Sequence, residues 1–241
     1  PGQNNPDLKV KYDKIILSGD EDLSHLMVNP NPHTYPVLSS NSKSTITSEV
    51  IGWTTYDLQS NGSIQNRIVV HDDGTISAAW TMSAELNAAW SDRGTGYNHF
   101  DGSNWTFPAP SPPFSEPRLE DSRVGWPSII ALGNGGERVI THSTQNNVLN
   151  QCSRTSIGTG TWTNSMIGEN YLIWNRSAAG GLDGNTIHTI ALTEPSGGTW
   201  TGSLYEGLNG ALLYSRSQDG GNYWDIDTLV IPISKYLKTK L

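Results

Sequence analysis

The stretch Trp90-Ser91-Asp92-Arg93-Gly94-Thr95-Gly96-Tyr97-Asn98, followed by His99, gathers aromatic, amide and charged side chains around two glycines. That mixture suits carbohydrate recognition. A flat ring covers the apolar face of a sugar, and planar polar groups take its hydroxyls. Glycine-rich polar segments read as loops, and loops on a rigid scaffold tend to carry function. Trp90, Asp92, Arg93, Tyr97, Asn98, His99 and Trp126 are therefore the candidate ligand-binding residues, with Tyr171 beside them. Core packing competes for the same rings, because an aromatic side chain is as useful inside a sheet protein as on a binding face.

Other chemistries have less to work with. The one cysteine, Cys152, allows neither an intrachain disulfide nor a cysteine-based zinc site, and a lone cysteine is most often a small buried residue. The six histidines (25, 33, 71, 99, 142 and 188) show no paired zinc spacing. His71, His142 and His188 fall at comparable places in three similar segments, which reads as strand composition. No metal site is expected. Asp20-Glu21-Asp22 and Asp72-Asp73 are the acidic runs that offer oxygens to calcium, and solvated turn acids account for them as well. A net charge of −8 without a long basic run excludes a phosphate-backbone or anionic-lipid binder. The longest apolar runs, such as Ile129-Ile130-Ala131-Leu132, are strand-sized and too short for a membrane span.

The elements that would position these residues are strands. Charged residues are 16% of the chain, and Ser, Thr, Asn and Gly fill the shortfall, as expected of short strands joined by polar turns. Segments 67–80, 127–140 and 178–191 each read as strand, tight glycine turn, strand, with the turn expected to be a two-residue hairpin. A Gly-x-x-Trp-like element follows each, ending at Trp105, Trp162 and Trp224, about 60 residues apart, and Trp53 marks an earlier one. Such a period suits a four-stranded propeller blade. The segment 83–90 reads as a loop or short helix, and the five prolines within 108–117 as an extended surface connection. The expectation is an all-β propeller: residues 1–45 form a lead-in with one strand at Lys14–Leu17, and 46–241 hold about four blades. Four is short of a closed ring, so the chain is expected to be a fragment or a partial ring completed by other residues, such as further blades from the rest of a longer chain.

The last repeat contains Ser217-Gln218-Asp219-Gly220-Gly221-Asn222-Tyr223-Trp224, which fits Ser-x-Asp-x-Gly-x-x-Trp at all four defining positions. It resembles the Asp box (BNR repeat) of sialidase-type propellers, where this motif turns between the third and fourth strands of a blade. The resemblance implies a structural role for Ser217, Asp219, Gly221 and Trp224, on the rim away from any channel. It also raises sialidase-like glycoside hydrolysis as an alternative. Asn66-Arg67-Ile68-Val69 resembles part of the Phe-Arg-Ile-Pro motif but lacks its Phe and Pro, and Asp92 stands where an acid/base aspartate would fit. Arg123, Arg154, Arg176 and Arg216 supply further guanidiniums. Tyr205-Glu206, the adjacent Tyr-Glu pair, would point to opposite faces if on a strand. The segments 51–59, 92–98 and 125–129 resemble a group of secreted Bacteroidetes proteins that usually carry a sorting domain for type IX secretion; no such domain is recognisable here, and no activity carries over. The expected function is a secreted or cell-surface module binding a protein or glycan without catalysis or cofactor. A structural subunit of a surface assembly is the third reading.

Overall fold

The computed structural model describes residues 48–59, 65–87, 89–107, 118–143, 148–168 and 172–230, with backbone alone for 226–230. All lie in the unit Ser48–Leu241. The expected strand at Lys14–Leu17, the acids 20–22, the proline-rich connection and Tyr171 fall outside the described residues.

Runs of β-branched and aromatic residues broken by glycine turns give strands throughout, and no helix occurs among the described residues. The first sheet joins β1 (Ile68–Val70), β2 (Ile76–Met82) and β3 (Gly94–Phe100) in chain order. The second joins β4 (Val124–Ala131), β5 (Glu137–Ser143), β6 (Leu149–Arg154) and β7 (Thr163–Ile167), also in chain order. The third takes β8 (Leu172–Gly180) and β9 (Thr186–Thr193), then β12 (Leu212–Ser217) and β13 (Ile226–Val230). A separate small hairpin, β10 (Ser196–Gly197) and β11 (Trp200–Thr201), is inserted between β9 and β12. Every pairing is antiparallel.

The three hairpin turns differ from the expected two-residue form. Five residues separate the last strand pairs Val70↔Ile76, Ala131↔Glu137 and Gly180↔Thr186. The Gly74 amide donates to the His71 carbonyl (2.9 Å) and the Gly135 amide to that of Leu132 (3.0 Å). Gly74, Gly135 and Gly184 sit at φ 83°, 84° and 70°, so each turn is a tight turn closed by a left-handed glycine. Asp73, Asn134 and Asp183 each accept the amide two residues on, at 3.0 Å.

The second sheet is covered on both faces. Ile130, Leu132, Ile140, Leu149 and Ile167 pack with Leu172, Ile187, Ala191 and Leu213 of the third sheet and its strands. Ile129, Val139 and Cys152 pack with Ala79 and Tyr97 of the first. Because side chains alternate, neighbours such as Ile129 and Ile130 serve opposite interfaces, and the uninterrupted apolar run in β4 is what a doubly covered strand requires. On β1, by contrast, Ile68 and Val70 are 61% and 68% exposed.

Two expectations change. Three main sheets stand among the described residues instead of about four repeats, and Trp53 lies in the strandless segment 48–59, where its carbonyl accepts the Trp80 indole N–H at 3.0 Å. The Gly-rich stretch around Gly94 and Gly96 is strand β3, not loop. Its glycines make room: a Cβ at Gly96 would run into the Trp80 indole, and one at Gly94 into the Arg118 side chain.

Register and cross-sheet bonds define two ends of the stack. The turns at 71–75, 132–136 and 181–185 and the 218–225 loop gather at one. There the Gly133 amide donates to Gly184 (3.1 Å) and that of Gly220 to Asn185 (2.9 Å). The ends of β2, β5 and β9 and the starts of β3, β4 and β8 gather at the other. There the Arg93 amide region meets β4, with the Val124 amide donating to the Arg93 carbonyl at 3.1 Å.

Candidate functional site

At this second end, β4 and β8 open with the same irregularity. Register shifts between Gly125 and Ser128, and again between Ile173 and Arg176. The residue bulged out is a tryptophan in each case, Trp126 at φ 52° and Trp174 at φ 51°. A left-handed tryptophan costs about 1–2 kcal/mol, and a bulge re-aims its side chain. The two sites meet at His142 on β5. The Trp126 ring stacks on its imidazole (centroids 4.8 Å, 18° between planes), and the Trp174 amide donates to its Nδ1 at 3.2 Å. With Nδ1 accepting, the ring proton sits on Nε2. Burial, reinforced by Arg93, Arg123 and Arg176, pushes His142 down to about 3, so it is neutral at ordinary pH.

The β10–β11 hairpin brings Trp200 edge-to-face on Trp174 (5.2 Å, 87°). Trp200 is 41% exposed and forms an outer wall. Glu194 accepts the Thr201 amide (3.3 Å) and hydroxyl (3.2 Å), fixing the hairpin's base. These residues, with Leu58, Ile173, Arg93 and Arg123, enclose a cleft of about 350 Å³. Arg93 is buried. Its guanidinium lies over Trp126 (4.7 Å) and Tyr56 (5.0 Å), and donates to the Val124 carbonyl (2.9 Å) and the Tyr56 hydroxyl (3.2 Å). No carboxylate pairs with it among the described residues. Burial, then the Arg123 charge, lower its affinity for its proton. The Trp126 indole N–H is buried and has no hydrogen-bond partner among the described residues.

The seven ligand-binding candidates separate. Trp90, Arg93 and Trp126 converge around Tyr56, with Trp90 edge-to-face on it at 5.0 Å and Trp126 at 6.0 Å. Asp92 closes its own loop, accepting the Ser83 hydroxyl and the Ala84 amide (2.8 Å). Asn98 clamps flanking segments through the Ile51 and Phe107 carbonyls (2.8 and 2.9 Å). Tyr97 and His99 share the alternate face of β3 and run to the turn end of the stack. Arg67 donates to the Gln59 carbonyl and lines a different, mainly apolar cavity beside Trp53 and Trp80. Burial and then Arg176 pull it down to about 10. Asp92 does not line that cavity. Tyr205 and Glu206 lie in a turn, not on a strand: the Tyr205 and Leu208 backbones bond each other at 2.9 and 2.8 Å.

The turn end is built from groups that satisfy one another. Glu137, fully buried at the start of β5, takes both Nε (2.7 Å) and Nη2 of Arg154, the Ser77 hydroxyl and the Gly158 amide (3.0 Å). Tyr97 adds its hydroxyl at 3.1 Å, and burial followed by the Glu137 charge pushes that phenol up. His71 and His99 reach the same Ser77 hydroxyl at 3.0 and 3.2 Å. His142 belongs to the other end, and His188 bonds Tyr214 at 2.7 Å, so the three similarly placed histidines do not share a face. In the turn between β12 and β13, Asp219 accepts the Tyr223 and Asn222 amides (2.9 and 3.1 Å) and the Ser217 hydroxyl (2.8 Å). Gly221 sits at φ 89° with its amide on Ser217 (2.8 Å), and Trp224 packs onto the core between the second and third sheets. Asp73 commits its carboxylate to Thr75, and no group of three or more potential metal ligands occurs among the described residues.

No protein-family model and no curated protein matches the chain. His142, Trp174, Trp200 and Glu194 escaped the sequence reading as site residues, and Arg123 entered it only as a guanidinium for the sialidase-like alternative. One signal was present: Gly125-Trp126-Pro127-Ser128 and Ile173-Trp174-Asn175-Arg176 repeat a tryptophan at the opening of the first strand of a sheet.

Proposed function

We propose that this chain is part of a β-propeller exported to the cell surface, and that it binds a glycan, without catalysis, in the cleft between Trp126, Trp174 and Trp200. The blade reading is supported by successive four-stranded meanders stacked face to face, and by first strands β4 and β8 that pack against each other. The exposed Ile68 and Val70 offer the apolar face that a neighbouring blade would cover. The observation that carries the binding reading is the cleft itself. At about 350 Å³ it accommodates one or two sugar rings, and it presents indole surfaces from two sheets and an inserted hairpin beside a few fixed polar groups.

Catalysis finds less support. Both Asp92 oxygens are engaged within its loop, and Arg67 lines another cavity. Glycan-array binding followed by titration of tryptophan fluorescence tests the reading. Micromolar to millimolar retention of a glycan class, lost in Trp200→Ala with the melting temperature unchanged, is the expected result. Retention unaffected by Trp200→Ala, or turnover of a fluorogenic sialoside, would overturn it. Silence on glycans with capture of a protein through the same cleft would move the chain to the protein-binding class.

A further inference from the structure

Resting on the glycan reading of this cleft, we propose that its ligand is an acidic sugar, a uronate or sulfate ester whose negative group is held by Arg93 and Arg123. Two buried groups in one cavity lack what such a ligand supplies. Arg93 is 4% exposed, and no carboxylate pairs with it among the described residues. A buried guanidinium balanced, among the described residues, by a carbonyl, a phenol and two ring faces is an expensive arrangement, and an anion entering the cleft relieves it. Trp126, 7% exposed, carries an indole N–H with no partner among the described residues, and a buried donor left unpaired costs about 1–3 kcal/mol. Both residues line the cleft. Anion oxygens accept from either donor, whereas a cation satisfies neither.

Arg123 lines the cleft beside Arg93, anchored by donating to the Trp90 and Ala89 carbonyls (2.9 and 3.1 Å), while the Glu194 carboxylate is occupied by Thr201. The sugar ring would lie on the exposed Trp200 and the half-buried Trp174. Gly125 keeps the guanidinium in place, since a Cβ there would come within 3.2 Å of it.

Calorimetric titration of the purified chain with oligogalacturonate, a chondroitin sulfate oligosaccharide and neutral cello- and galacto-oligosaccharides tests this. The expected result is a preference of about tenfold or more for an acidic over a neutral ligand of equal length, as one charge-assisted contact would give. The carboxylated and sulfated arms identify which group is read. Arg123→Gln, which leaves the buried guanidinium intact, should cut the preference severalfold, and Arg93→Gln should abolish it. Should Arg93→Gln fail to fold, Arg123→Gln and Arg93→Lys carry the test, the latter weakening the preference without reversing it. Equal affinity for acidic and neutral ligands, both lost in Trp200→Ala, would overturn the acidic inference and leave the glycan reading standing. No binding of any oligosaccharide would overturn both, as would saturation by tetramethylammonium instead.

Discussion

The two ends of the stacked sheets solve opposite problems. At the turn end two carboxylates meet partners from the chain itself: Glu137 with Arg154, Ser77 and Gly158, and Asp219 with its own turn amides. At the cleft end, among the described residues, Arg93 lacks a carboxylate and the Trp126 indole lacks an acceptor, and three tryptophans, Trp90, Trp126 and Trp174, hold left-handed backbones. Groups that complete one another stabilise a fold. Groups held ready but incomplete are what a binding site requires, and their cost is carried by the rest of the structure.

The comparison breaks most visibly at Glu137. Glu137→Ala leaves the Arg154 guanidinium buried without its carboxylate, and should lower unfolding free energy by about 3–5 kcal/mol in denaturant titration. Acid sharpens the contrast next. His142, held near 3 in the fold against an ordinary 6.5, takes up its proton in the unfolded chain first, so stability is complete above about 6.5 and declines as pH falls towards 3. His142→Gln should flatten that leg in melting curves recorded across the same range. The Asp219 carboxyl lies below its usual range: burial opposes this, but the Tyr223, Ser217 and Asn222 hydrogen bonds outweigh it. Its share of stability is therefore present above its unfolded value and lost at lower pH still. Asp219→Ala should cost about 1–2 kcal/mol by denaturant titration and leave ligand affinity unchanged. Smallest in stability, Trp200→Ala on the exposed hairpin should shift unfolding by no more than about 0.5 kcal/mol, yet remove most glycan affinity.

Much of the architecture was legible. The glycine turns at 74, 135 and 184 and the recurring Trp105, Trp162 and Trp224 reported short antiparallel strands in series, because turns and strands are written in local residues. Turn length was misjudged, since an Asp-Gly pair fits both the two-residue and the longer glycine-closed hairpin. The stretch 90–99 misled for a physical reason: glycines that admit Trp80 and Arg118 to a strand look the same in sequence as glycines that free a loop. Of the candidates there, Trp90 and Arg93 reach the cleft surroundings, while Tyr97 and His99 are carried off by strand alternation to the Glu137 network. His142, Trp174 and Trp200 come from separate segments and meet only through sheet stacking and an inserted hairpin, which no local pattern encodes.

The most direct test of the central claim is a paired titration of the wild-type chain, Trp200→Ala and Asp219→Ala with an acidic oligosaccharide, each followed by a thermal melt. The account predicts lost binding with an unchanged melt for Trp200→Ala, and unchanged binding with a lowered melt for Asp219→Ala. Binding that survives Trp200→Ala, or that vanishes in a still-folded Asp219→Ala, would contradict it.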